Sequence, residues 1–155
     1  MFQPNPYQIM APSERWAPSQ SQMDASQNAY DKLLPPLVNK IRLAVAKWRD
    51  EDYLGASQTS KSLLNFWFNE EHIIGQTKFS FFFSQREAIE SIIYLYEIVK
   101  AKDKYELMRF DSSQRISTGM FDENWTRYVI KMATGAGKTK VMGLTLVWSY
   151  FHKLY

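Results

Sequence analysis

The sequence predicts an α/β protein in which a helical N-terminal region leads into a strand, a glycine-bearing loop and a long helix. Three observations carry this expectation. Apolar residues recur at three- and four-residue intervals between residues 37 and 99; the run "RYVIKM" (127–132) has the β-branched and aromatic content of a strand; and "ATGAGKT" (133–139) joins that run to a long apolar stretch. The organisation expected is an extended or flexible segment over 1–30, a helical region over 31–102, a loop or insertion over 103–126, and a strand–loop–helix unit over 127–155.

Each element has its own warrant. Half of residues 1–30 are Gln, Ser, Pro or Asn, which favours no regular structure, although Tyr7, Ile9, Met10 and Trp16 are spaced like anchors of a segment lying over a core. After Pro35-Pro36, residues Leu37, Ile41, Ala44, Val45 and Trp48 line one face of a helix that ends near Asp52–Gly55. A second helix starts after Ser57 or Thr59 and carries Leu63, Leu64 and Trp67. "KFSFFF" (78–83) is either a strand or an extended lead-in to the next helix. Ser84 followed by Glu87 reads as a capping box, with Ala88, Ile89, Ile92, Ile93, Tyr96 and Val99 as one apolar face. Residues 103–124 hold no sustained period. From about Lys138 to Leu154 a helix with the composition of a buried one closes the sequence.

Composition narrows the function classes. Nineteen Lys and Arg against 16 Asp and Glu give a formal charge of +3, too mild by itself to mark a nucleic-acid binder. The charge is unevenly placed: no acidic residue follows Glu123, whereas Arg127, Lys131, Lys138, Lys140 and Lys153 do, which suits an anionic ligand. Absence of cysteine excludes disulfides, thiolate zinc sites and thiol redox chemistry, and is compatible with the cytoplasm. "MFQPNPYQIM" has neither a basic leader nor an apolar core, which argues against a signal peptide. Val141 to Phe151 is far shorter than the ~20 residues that cross a bilayer, so no membrane role is expected.

The loop carries the chemistry. A nucleoside triphosphate needs converging backbone N–H groups, a helix N-terminus and a mobile cation. Gly135 and Gly137 allow the turn and the close approach, Thr134 and Ala136 supply further small loop positions, Lys138 would reach the β- and γ-phosphates, and the Thr139 hydroxyl would ligate Mg²⁺. The pattern G-x-x-x-x-G-K-[ST] is incomplete, because Met132 stands where the first glycine belongs; many helicase-like motors share that departure. Gln85 adds a second signal. At a helix start beside Phe82 and Phe83, its amide could accept from the adenine N6 amino group and donate to N7, with either ring packing on the base. ATP and Mg²⁺ are thus the expected cofactors.

With both motifs present, the chain resembles the N-terminal part of the motor (Res) subunit of type III restriction enzymes, within the superfamily 2 DEAD/DEAH-type helicases. The resemblance rests on "PYQIMAPSERW" (6–16), "LVNKIRLAVAKWRDEDYLGASQTSKSLLNFW" (37–67), "FFFSQREAIESIIYLYE" (81–97) and "IKMATGAGKTKVMGLTLVWSYFHKL" (130–154). It implies RecA-like α/β lobes, here the first strand–P-loop–helix of an incomplete one, that bind ATP and move along DNA. It also implies a methyltransferase partner subunit, and roles for Gln85 as adenine reader, Lys138 as phosphate lysine and Thr139 as Mg²⁺ ligand. No D-E-x-H-like motif follows residue 139 and no nuclease motif is present, so the chain alone is expected to bind nucleotide weakly and hydrolyse almost none. Met142, Val147, Trp148 and Phe151 are expected to lack cover. No catalytic residue is assigned.

Two other readings compete with the motor. One is a different P-loop ATPase; the other is a helical interaction module with a vestigial loop. His72 and His152 lack metal-ligand spacing and read as surface or packing residues. The aromatic runs 66–68 and 79–83 lack interleaved Lys and Arg, which favours packing over base stacking.

Overall fold

The computed structural model describes residues 5–12, 37–111 and 128–154. Trp16, the expected helix start at Pro35-Pro36 and most of the expected 103–126 loop lie outside these residues. Helix α1 spans Val38–Asp50, α2 Gln58–Asn69, β1 His72–Ile74, β2 Thr77–Phe79 and α3 Phe83–Ile93, which runs into a π-helical segment at Tyr94–Ile98. The short α4 (Lys104–Met108) and the long α5 (Lys138–Leu154) follow. α3 is the central element: it packs against α1, α2 and α5.

The periodic helices form where their apolar spacing places them. Val45 and Trp48 of α1 are buried, as are Leu64 and Trp67 of α2, whose N-cap Ser57 accepts from the Ser60 N–H. Such a cap satisfies one of the orphan N–H groups of the first turn and is worth about 1 kcal/mol. Between α1 and α2 the chain reverses through Asp52 and Tyr53, both at positive φ (51° and 53°). Left-handed non-glycine backbone costs roughly 1–2 kcal/mol per residue, and Tyr53 offsets it by entering the core beside Trp48, with ring centroids 4.9 Å apart.

"KFSFFF" is both of the things expected of it. Residues 77–79 form β2, paired antiparallel with β1 in the register His72↔Phe79 and Ile74↔Thr77, and Ser80 to Phe82 run extended into α3. The capping box falls elsewhere than expected. α3 begins at Phe83, with Phe82 as N-cap, so Ser84 sits exposed inside the first turn. Phe82 has no acceptor to offer; instead Gln85 Oε1 reaches back to accept the Phe82 N–H at 3.0 Å. Glu87, freed from capping, accepts from Arg42 Nε at 2.8 Å. The expected apolar face also changes beyond Ile93, where the chain widens into the π segment: Leu95 is buried, while Tyr96 is half exposed.

The expected strand over 127–132 is corrected. Residues 128–133 form no strand, and Val129 is 91 % exposed. A strand is a cooperative object that needs a neighbour to take its N–H and C=O groups, and none of the described residues lies alongside this segment as one. Among the described residues the only sheet is the β1–β2 ribbon. The coarse description is therefore helices with a small sheet, and no RecA-like parallel sheet is present among them.

A charged cluster is built into the core. Glu90 on α3 is fully buried and ion-paired to Arg49 of α1 and to Arg86 one turn back, the latter at 2.8 Å. Tyr53 Oη donates to Glu90 Oε1 at 2.7 Å and accepts from Arg86 Nη2 at 2.9 Å. Burial pushes the Tyr53 phenol far above its ordinary value, and the Glu90 charge adds to the effect. The sign follows directly. A folded-state value raised above the unfolded value near 10 gives stability that is complete below pH ~10 and is lost as pH rises through the alkaline range. Denaturant midpoints taken between pH 8 and 11.5 are expected to fall above pH ~10 in the native protein. The fall should be smaller in Tyr53→Phe, which starts from a lower midpoint; equal slopes would disprove the assignment.

Candidate functional site

The loop between Met132 and Lys138 turns on two glycines. Gly135 and Gly137 have φ of 81° and 78°, backbone that L side chains rarely adopt. Gly137 is constrained a second time, because a Cβ there would overlap the amide nitrogen of Gln85. The Ala136 N–H closes a turn onto Ala133 O at 3.3 Å, and α5 starts at Lys138. Lys138 Nζ is folded under the loop and donates to Met132 O (3.0 Å) and Ala133 O (3.1 Å). Thr134, Gly135 and Thr139 are exposed. Lys140 extends over the Phe79 ring, 5.0 Å from its centroid, tying the first turn of α5 to β2.

Gln85 is the residue that joins the helical region to the loop. It is 5 % exposed, and its Nε2 donates to Ala136 O at 3.0 Å while its Oε1 holds the Phe82 N–H. Its backbone position on α3 thereby places the N-terminus of α3 beside that of α5. The first N–H groups of α5 have no intrahelical acceptor, whereas at the start of α3 the Phe82 and Phe83 N–H groups are taken by Gln85 Oε1 and Pro6 O, so it is the positive end of α5 that faces the loop. Neither first turn carries an acidic residue. That combination favours an anion.

The aromatic neighbours differ from expectation. Phe83 is buried, with the Arg49 guanidinium 5.4 Å over its ring, so it is committed to the core. Phe82 remains partly open and meets Tyr7, ring centroids 5.2 Å apart, while the Phe83 N–H donates to Pro6 O at 2.8 Å. Residues 6–12 are therefore an anchored segment here, and Arg42 Nη1 holds the Pro12 carbonyl at 3.1 Å. Tyr7 was expected as an anchor of the N-terminal segment, and the ring it anchors on is Phe82, three residues before Gln85. The two histidines pack as expected of them. His72 lies edge-on to Phe66 and Phe81, and His152 pairs with Glu97.

A family model described as "Type III restriction enzyme, res subunit" matches residues 78–155. The chain belongs to this res-subunit family. The match runs from β2 to the end of α5, so the Res region contains both Gln85 and the glycine loop, while α1 and α2 precede it. Membership places the chain among helicase-like P-loop ATPases. Neither the curated proteins nor the solved structures contain a match. No helix among the described residues is long and apolar enough to cross a membrane, and no group of three or more acidic or histidine side chains among them could hold a metal.

Proposed function

We propose that residues 133–139 bind the phosphates of ATP, as the nucleotide site of a DNA-translocating motor of the res-subunit kind. The observation that carries this is the Gln85–Ala136 bond at the N-terminus of α5, with two left-handed glycines opening the backbone beside it. ATP with Mg²⁺ fits the residues present. Lys138 Nζ already donates to two loop oxygens, and phosphate oxygens are acceptors of the same kind at higher charge. Thr139, exposed on the first turn of α5, offers its hydroxyl to Mg²⁺. The magnesium supplies charge neutralisation of the phosphates.

Gln85 has capacity for two tasks. An amide carries two N–H donors and two carbonyl lone pairs, and the loop and the Phe82 N–H use one of each. The remaining pair suits the adenine edge, with Phe82 and Tyr7 as the adjacent rings. DNA as the polymer acted on, and a modification subunit as partner, follow from the family.

The test is a thermal shift with Mg-ATP. At 100 times Kd a ligand specific for the folded state adds about 2.7 kcal/mol, and each kcal/mol moves Tm by roughly 2–4 °C at this size. Native protein should show that rise over its own nucleotide-free melt and Lys138→Ala should not, each compared with itself because the variant also loses the bonds to Met132 O and Ala133 O. Equal responses from both would reject the site. No response from either would leave a helical interaction module with a vestigial loop.

A further inference from the structure

Glu97 gathers donors from two other helices at the far end of α3 from the loop. From the start of α2 come the Ser57 N–H (2.9 Å), the Ser57 hydroxyl (3.2 Å) and the Ser60 hydroxyl. From α5 come Trp148 Nε1 (3.4 Å) and His152 Nε2 (3.1 Å), and the same indole N–H also donates to Ser60 Oγ at 2.8 Å. Ser60 is fully buried and Trp148 is 5 % exposed. Four of these five contacts fall on Oε1, and Oε2 takes the Ser57 N–H. The residue stands in the π segment, where Val99 N bonds Tyr94 O at 3.0 Å; such wide turns recur at functional positions.

The spacing gives this cluster its meaning. Gln85 and Glu97 are 12 residues apart (97 − 85), and their partners Ala136 and Trp148 are also 12 apart (148 − 136). Twelve residues of helix rise about 18 Å. One tie lies in the loop two residues before α5 and the other inside α5, so α3 and α5 lie side by side in the same sense and are tied at both ends, with Ile89, Ile93 and Leu144 packed in one core between. A helix transmits an axial shift along its length, so whatever holds Trp148 and His152 also sets where Gly135–Thr139 lie against Gln85.

We propose that Glu97 is a positioning residue for the phosphate loop: by anchoring Trp148 and His152 it fixes the axial register of α5. The proposal rests on the nucleotide-binding reading for its consequence, and on loop geometry for its mechanism. A mere stabilising contact would leave the loop no more affected than the rest of the protein.

The experiment follows amide hydrogen exchange at residues 134–141 and in α1, together with the Kd for a fluorescent ATP analogue with Mg²⁺, in the full chain. Glu97→Gln presents an N–H to a site already full of donors. It should raise loop exchange and weaken nucleotide binding, each by about tenfold, while α1 exchanges as in the native protein. Trp148→Phe, which keeps a ring but loses the N–H, should act in the same direction and carries the test if Glu97→Gln does not fold. His152→Gln keeps a donor and should stay near native, whereas His152→Leu should not. Loop exchange unchanged in both Glu97→Gln and Trp148→Phe overturns the proposal, and so does exchange that rises equally in α1 and the loop. Failure of the nucleotide reading looks different: native and Lys138→Ala bind the analogue equally, while loop exchange still answers to Glu97.

Discussion

Glu90→Ala will cost about 3–5 kcal/mol, the usual penalty for breaking a buried ion pair and leaving its partner charge in the interior. Here two guanidiniums are stranded, since Arg49 Nε donates to both Glu90 oxygens at 3.0 Å and Arg86 Nε to one at 2.8 Å. Burial alone would depress Arg49, and the Glu90 hydrogen bonds and charge more than offset it, holding the group charged. Domains have only about 5–15 kcal/mol in total, so urea unfolding should show a large loss of midpoint or an unfolded protein. Replacing the cluster together, with Arg49→Met, Tyr53→Phe, Arg86→Leu and Glu90→Leu, should recover most of the loss, because apolar substitution of a whole buried cluster is often neutral. A midpoint for Glu90→Ala within about 1 kcal/mol of native would show that the cluster contributes little.

Gly137→Ala is the largest effect expected at the loop. Backbone at φ 78° costs alanine about 1–2 kcal/mol, and the new methyl group overlaps the Gln85 amide, which must give up Ala136 O. The Mg-ATP thermal shift should therefore vanish. Neighbouring glycines provide the contrast. Gly135→Ala meets no atom within 4 Å and bears the backbone cost alone, while Gly143→Ala, inside α5 with open space around it, should gain up to about 1 kcal/mol from helix propensity. Residues in contact couple non-additively, so adding Gln85→Ala to Gly137→Ala should be less damaging than the two effects summed. Additive behaviour would mean that the amide does not brace the loop.

Period and composition revealed the parts of the fold that depend on local sequence. α5 runs from Lys138 to Leu154 as its apolar run predicts, and α2 starts at the Ser57 cap. Exposure of Met142 and Val147 was also foreseeable, although Trp148, grouped with them, is buried by the Ser60 and Glu97 side. What escaped depended on partners far along the chain. Glu90 falls on the apolar face between Ile89 and Ile93, a signal in itself, yet its meaning needs Arg49 and Tyr53, 41 and 37 residues away. The Ser84–Glu87 box failed because the helix starts two residues earlier, where Gln85, three residues after Phe82, accepts the N-cap N–H of Phe82. The 127–132 strand failed because pairing, unlike helix formation, requires an edge supplied by another segment.

Of the candidate site, the glycines, Lys138 and Thr139 were evident from their order alone. Glu97 was not, since hydrogen bonding across three elements leaves no periodic trace. Gln85 was singled out as a reader of the base, and the structure adds its contact with Ala136.

The tethering of α5 at both ends by α3 and its π segment has a consequence in time. Translation extends chains at about 5–20 residues per second, and 41 residues separate Glu97 from Lys138 (138 − 97). Both bracing residues are therefore synthesised about 2–8 s before Lys138, so the chain supplies the brace ahead of the helix it holds.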